Sequence, residues 1–141
     1  MIDPHRIKYH NMYWSIAYAA ASQSVATRRQ VGACLVTPTG MISIGWNGMP
    51  VGFENYCEDI YGKTKKEVIH AERNAIDKMT RQGVSTYGSV LFVTTAPCFE
   101  CAKAIHSLGF KAIHYDDIYS CNSGVEFLKA VGIPVYARDK F

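Results

Sequence analysis

No apolar run in the 141 residues approaches the ~20 needed to cross a bilayer. The opening stretch MIDPHRIKYH also has none of the hydrophobic core that a secretion signal carries. Both absences lead us to expect a soluble, cytoplasmic chain. Charge of one sign is scarce as well: 15 Lys+Arg against 12 Asp+Glu leave +3, too small an excess to argue for binding a long phosphate backbone, though enough for a small anionic ligand. Repeats, low-complexity tracts and linkers are missing, so residues 1–141 read as one domain. Cysteines number five, an odd count, and only Cys98 and Cys101 lie close together. That argues against a disulfide framework and suits a metal or redox site in a reducing compartment. What the chain has in quantity is apolar surface, 48% hydrophobic and 12% aromatic against 19% charged, which excludes a disordered or fibrous protein and describes one well-filled core.

The order of elements follows from periodicity and punctuation. Asp3 reads as an N-cap with Pro4 at the first helical position, followed by apolar residues at helical spacing through Ile7, Met12, Ile16 and Ala20. VGACLVT and MISIGWN flank the turn PTG as an antiparallel hairpin. Residues 48–64 are rich in Gly and polar side chains and read as a long loop of the kind that often carries function. A second helix is expected from Glu67 to Arg81, stopped by Gly83. After it, SVLFVTT reads as a buried strand, CFECAKAIHSLG as a helix, KAIHYD as a strand, SGVEFLKAVG as a helix and IPVYA as a last strand. This alternation argues for an α/β sandwich with a largely parallel sheet covered on both faces.

The chemistry centres on two short motifs. Cys98 and Cys101 stand three apart at the start of a helix, on one face, where exposed backbone N–H groups favour thiolates. Alone, Cys-x-x-Cys supports either a metal site or a redox pair. His70 and Glu72 stand two apart in VIHAERNAI, a spacing that separates side chains by about 200° within a helix. If His70 sits where the helix has not yet begun, both groups can point into one cavity. One imidazole and two thiolates then offer zinc three protein ligands and an open fourth position for water, the arrangement of a catalytic site. Two thiolates cancel the charge of the ion and weaken its effect on that water, so a carboxylate free of the metal helps by taking the proton. Glu72 is placed for that role and for returning the proton later, as general base and then general acid.

HAE at 70–72 followed by PCFEC at 97–101 resembles the signature of zinc-dependent nucleoside and nucleotide deaminases. Over nearly the full length, RRQVGACLV, GWNGMPVG, VIHAERNAI, VTTAPCFECAKAI and IHYDDIYS are similar to the deoxycytidylate deaminase family. The resemblance implies a three-layer α-β-α sandwich with a central mixed five-stranded sheet. It also implies a homohexamer that converts dCMP to dUMP and ammonia on the path to dTTP, activated by dCTP with Mg²⁺ and inhibited by dTTP. Carried onto this chain, His70, Cys98 and Cys101 hold zinc, Glu72 shuttles the proton, and Asn47 of GWNG contacts the sugar side of the nucleotide. Arg28, Ser24 and Tyr119 match positions near the phosphate or the effector loop, and a guanidinium suits phosphate because its planar fork donates two hydrogen bonds at once. Some viral relatives complete a second zinc site with an insertion between the NYC loop and HAE. Here twelve residues separate Cys57 from His70, with no cysteine or histidine among them, so one zinc per subunit is expected.

The remaining residues have plainer roles. His5, His10, His106 and His114 read as surface or core histidines, and Cys34 as a buried small hydrophobe. Arg28 and Arg29 are equally readable as the solvated end of the first helix, the reading preferred for Arg29. Trp14 and Trp46 read as core or interface. Three other functions share these motifs: a deaminase accepting dCTP as well as dCMP, an RNA adenosine or cytidine deaminase, which needs an extended basic surface, and a non-catalytic zinc or nucleotide-binding module, which leaves Glu72 without a purpose.

Overall fold

Two runs of the chain are buried at every position, Gly32–Val36 (β1) and Val90–Thr95 (β3), the pattern of strands covered on both faces. The computed structural model describes residues 3–119 and 121–140. Met1, Ile2, Ser120 and Phe141 lie outside them, and with these the two ends of the 1–141 unit and the last residue of IHYDDIYS. The other strands are Ile42–Trp46 (β2), Ala112–Asp117 (β4) and Val135–Ala137 (β5), in the order β2-β1-β3-β4-β5. β1 runs antiparallel to both β2 and β3, whereas β3, β4 and β5 are parallel. The sheet is therefore mixed and five-stranded, as the resemblance implied, and less parallel than the bare alternation of elements suggested. The helices are His10–Ala21 (α1), Ala71–Arg81 (α2), Phe99–Ser107 (α3) and Ser123–Ala130 (α4).

The two-residue period of the strands sorts side chains between two cores. Cys34, Val36, Val90, Phe92 and Ala112 meet Tyr13, Trp14 and Ala17 of α1 on one face. On the other, Leu35, Leu91, Val93 and Ile113 meet Ala75, Ile76 and Met79 of α2, Ala102 and Ile105 of α3, and Leu128 of α4. This is the expected three-layer α-β-α sandwich. Each fully buried aliphatic or Phe side chain contributes on the order of 1.5–3 kcal/mol, so both layers are needed to hold the sheet. Among the described residues, no helix is long and apolar enough to cross a membrane.

Three expected boundaries shift. The Asp3 carboxylate accepts from the His5 N–H at 2.9 Å, so it closes an isolated turn instead of capping a helix; a 3₁₀ turn at Ile7–Tyr9 follows, and α1 begins at His10. Its buried stripe is Tyr13, Trp14, Ala17, Ala20 and Ala21, while Ile7 and Met12 are exposed. Bulky aromatics one position along fill the space over Phe92 better than the expected Met12. The second helix starts at Ala71, four residues later than Glu67, because Ile69 pairs with Gly48 through both backbone bonds, 2.8 and 3.1 Å. Finally, α1 ends at Ala21, so Arg28 and Arg29 lie in a loop and not at a helix end.

Two glycines hold the site-bearing helices close to their neighbours. A Cβ on Gly45 of β2 would lie 2.2 Å from the Ala71 carbonyl oxygen at the start of α2. A Cβ on Gly124 of α4 would lie 2.0 Å from the Pro97 carbonyl oxygen, just before α3. Only hydrogen fits at either position.

Candidate active site

α2 and α3 begin side by side near the carboxyl ends of β2 and β3, the usual place for ligands in open α/β sheets. The pairing of Ile69 with Gly48 keeps His70 extended, with φ −71° and ψ 155°, as the N-cap of α2. The 200° separation of a helix therefore does not apply, and the expectation that His70 precedes the helix holds. Cys98 is likewise the extended N-cap of α3 (φ −71°, ψ 171°), one residue before its first turn, and its sulfur accepts from the Cys101 N–H at 3.5 Å. His70 Nδ1 lies 3.4 Å from each of the Cys98 and Cys101 sulfurs. One nitrogen and two sulfurs thus converge within 4.8 Å of one another, and this borderline-soft donor set fits zinc.

The protons on these groups are coupled. The Cys101 thiol donates to Cys98, which brings Cys98 down to about 3 despite its burial, with His70 and the Cys101 N–H adding to the effect. Cys101 is pushed up by the same hydrogen bond and by burial. His70 is raised, first by its hydrogen bond with Cys98. Without a cation the two sulfurs hold one proton between them; a divalent ion displaces it.

Glu72 stands in the first turn of α2 and is 4% exposed. Burial pushes its carboxyl up to about 7, against smaller opposing effects of its own backbone N–H and of His70. A general base is most effective when its pKa lies near working pH. The same burial has a cost in stability. Between the ordinary value of 4.5 and about 7 the folded, metal-free protein keeps a proton that the unfolded chain has released, so this group's contribution falls as pH rises through that window. We expect metal-free Glu72→Gln to be more stable than metal-free wild type by a margin that grows between pH 5 and 7 and levels off above, reaching a few kcal/mol. Urea midpoints measured across that range check this; a margin independent of pH would contradict it.

A cavity of about 330 Å³ opens over these groups and is also lined by Arg28, Arg29, Asn47, Glu58 and Tyr119. Asn47 lines the wall, but its amide is engaged with the neighbouring loop: Oδ1 accepts from the Val31 N–H at 2.9 Å and Nδ2 donates to the Arg29 carbonyl at 2.8 Å. One amide hydrogen and one lone pair remain for a ligand. Ser24 sits behind the wall, 4% exposed, donating to the Asn47 carbonyl at 2.8 Å; the structure gives it a bracing contact and no place on the cavity surface. Arg28 Nη2 donates to the Tyr119 hydroxyl at 3.4 Å. Arg29 is more committed than its expected solvated role, since it pairs with Asp117, donates to Thr95 Oγ1 at 3.2 Å and lies 5.2 Å over the Tyr119 ring.

Glu58 escaped sequence reading. Its carboxylate accepts from the backbone N–H groups of Thr27 and Arg28 at 3.1 and 3.2 Å, tying the 48–64 loop to the loop that presents Arg28. Burial alone would raise its pKa, but these bonds bring it below the ordinary value. No local pattern signals a contact 30 residues away in sequence. With Glu58→Gln, one of the paired oxygens is replaced by a donor, and we expect KM to rise about tenfold with kcat within a factor of two, since charge-assisted bonds are each worth roughly 1.5–3 kcal/mol. Steady-state kinetics decide this.

The arrangement matches known proteins. The model of the cytidine and deoxycytidylate deaminase zinc-binding region matches residues 7–116. The chain belongs to that family. Within it, the chain is 36% identical to the crystal structure of dCMP deaminase from cyanophage S-TIM5 in complex with dCMP and dUMP, with a TM-score of 0.87 over 96% of this chain and 98% of that one. It is 29% identical to the deoxycytidylate deaminase of Enterobacteria phage T4, over 86% of this chain and 85% of that protein. It is 30% identical to ComE operon protein 2 of Bacillus subtilis, over 92% of this chain and 71% of that protein.

Proposed function

We propose that this deaminase-family chain, read as a single domain over residues 1–141, hydrolyses dCMP to dUMP and ammonia in the cytoplasm, as a step toward dTTP. The observation that carries the reading is the pairing, in one cavity, of a nitrogen and two sulfurs beside a buried carboxylate with an arginine and a tyrosine farther along the wall. The nucleotides in the cyanophage enzyme's crystal structure, a protein that this chain matches over almost all of its length, support it.

His70, Cys98 and Cys101 would hold the zinc, which supplies a Lewis acid that makes water nucleophilic near neutral pH. Glu72 performs the proton chemistry. Its carboxylate takes a proton from the attacking water and delivers it to the ring nitrogen N3, then moves a second proton to the exocyclic amine. As the carbonyl forms at C4, the C4–N bond breaks and ammonia leaves. Because Glu72 is buried, no bulk water competes for those protons. Asn47 offers its remaining hydrogen and lone pair to the sugar. Of the two arginines, Arg28 has most of its five donors unspent, whereas Arg29 is held by Asp117 and Thr95; the 5′-phosphate is therefore assigned to Arg28 with Tyr119. Ser24 acts through Asn47.

Regulation by dCTP with Mg²⁺ and by dTTP, and assembly into a homohexamer, belong to the same proposal. Val51, Ile60 and Tyr61 on the 48–64 loop are nearly fully exposed and are apolar side chains that such an assembly could cover. The test is ammonia release from dCMP, dCTP, CMP, deoxycytidine and RNA, with and without effectors, on protein of known zinc content. Turnover of dCMP well above the rest is expected. Turnover of dCTP at a similar rate would make the enzyme bifunctional, RNA turnover alone would move the reading to RNA editing, and no turnover on any substrate would leave a binding module. Sedimentation at micromolar concentration checks the hexamer.

A further inference from the structure

The deaminase chemistry uses neither His5, His10 nor His114, and sequence reading placed them among ordinary surface or core residues, yet the fold brings them together. His114 lies on β4, alternating with Ile113 and Tyr115 so that it faces α1; His10 opens α1, and His5 sits in the turn before it. One ring nitrogen of each lies within 4.8 Å of the other two. His114 Nε2 and His5 Nδ1 are 3.2 Å apart. Two nitrogens bound to one ion at about 2.0–2.1 Å with tetrahedral angles would be separated by about 3.4 Å, so this pair already stands at ligand spacing. Two facing ring nitrogens at that distance cannot both carry a proton, and at least one presents a lone pair. The rings are also held in place: His114 stacks on Phe92 at 4.5 Å and 6°, and His10 packs edge-on against Phe92 at 5.1 Å. A hydrogen bond of 3.1 Å between His10 Nε2 and the His5 carbonyl ties together the two segments that carry ligands. His10 and His114 are buried, and half-buried His5 leaves a route for an ion.

We propose that His5, His10 and His114 form a second transition-metal site, on the α1 face of the sheet and separate from the His70, Cys98, Cys101 site. Its all-nitrogen donor set suits Zn²⁺, Ni²⁺ or Co²⁺, and the absence of a thiolate among these three ligands distinguishes it chemically from the catalytic group. The ion clamps the segment before α1 to the middle of β4, residues 109 apart in sequence, and serves stability, not turnover. This adds one metal per chain to the single zinc expected from the sequence.

Cobalt titration of the chelator-stripped full chain tests the proposal, because thiolate ligands give an intense near-ultraviolet charge-transfer band and imidazoles alone do not. Wild type is expected to take up two equivalents of Co²⁺, one with that band and one without. The Cys98→Ala, Cys101→Ala double variant should keep the equivalent without the band. His5→Ala and, independently, His10→Phe should lose it and retain the banded one, with metal-free melting temperatures showing that both variants fold. Nickel should raise the melting temperature of the double cysteine variant, and should no longer do so once His5→Ala is added to that variant. Saturation of wild type at one equivalent, or a second equivalent that survives in a folded His5→Ala or His10→Phe chain, would overturn the proposal. Because the double cysteine variant lacks the catalytic ligands, failure of the deaminase reading and failure of this one give different results.

Discussion

Glu72→Gln is expected to keep its zinc and lose about 10²- to 10⁴-fold in kcat on dCMP, the range that positioned acid and base groups contribute. The substitution preserves volume in a pocket where Glu72 is 4% exposed, so packing is not the variable. It removes the only buried carboxyl beside the converging nitrogen and sulfurs among the described residues, and an amide cannot relay protons between water, ring and amine. Metal content should stay at the wild-type level, since the three donors that come together are His70 Nδ1 and the sulfurs of Cys98 and Cys101. KM should change little, because the proposed sugar and phosphate contacts lie elsewhere on the wall. Loss of absorbance on conversion of cytosine to uracil, read with metal analysis of the same sample, decides the matter. A variant that retains activity within a few-fold would remove Glu72 from the chemistry, and one that loses its zinc would make it a ligand. The same substitution is expected to stabilise the metal-free protein near pH 7, because the wild-type carboxyl is held at about 7 by burial; an active site kept at some expense of stability behaves in that way.

The parts of this site legible in the sequence are those whose geometry is local. His70 to Glu72 and Cys98 to Cys101 each span a few residues at a helix start, so motif and punctuation are enough to predict a shared cavity. The helix ends at Gly83 and Gly109 were legible for the same reason, with φ +70° and +76° in the fold. Illegible features arise from long-range pairing. Nothing around Glu58 announces that it accepts from Thr27 and Arg28, and nothing around Arg29 announces Asp117. Even the late start of α2 is a tertiary effect: Val68 and Ile69 fit a helical pattern, but Ile69 bonds to Gly48 instead. That pairing brings the GWNG loop beside His70, so the error in the helix boundary and the correct placement of the histidine have one cause. The convergence of His5, His10 and His114 is likewise invisible locally, because strand and helix supply its members from opposite ends of the chain.

Gly45→Ala should damage both the fold and the site. The new carbon would stand 2.2 Å from the Ala71 carbonyl oxygen, 2.6 Å from the Ala75 nitrogen and 3.1 Å from the Asn74 Cβ. The first two are backbone atoms and cannot rotate away. Three further bonds hold α2 against β2: Ser43 Oγ to the Ala75 carbonyl at 2.8 Å, Asn74 Nδ2 to the Trp46 carbonyl at 2.7 Å and Lys78 Nζ to the Ile44 carbonyl at 2.8 Å. Relief of the clash therefore pulls against the contacts that set the helix start, and overpacking of this kind costs about 1–3 kcal/mol or more. For a chain of this size the melting temperature should fall by roughly 3–15 °C. The catalytic effect should be larger than the stability effect. Ala71 lies between His70 and Glu72, so any shift of α2 moves the proposed metal ligand and the proposed proton carrier together, and a displacement of about 1 Å costs about 10²-fold in rate. Gly48→Ala, whose added methyl meets nothing within 4 Å, is the stability control and should melt near wild type. If Gly45→Ala melts like that control, α2 does not rest on β2 as closely as the fold requires. If instead it melts early while the surviving folded fraction turns over at the wild-type rate, the position of α2 is not what aligns His70 with Glu72.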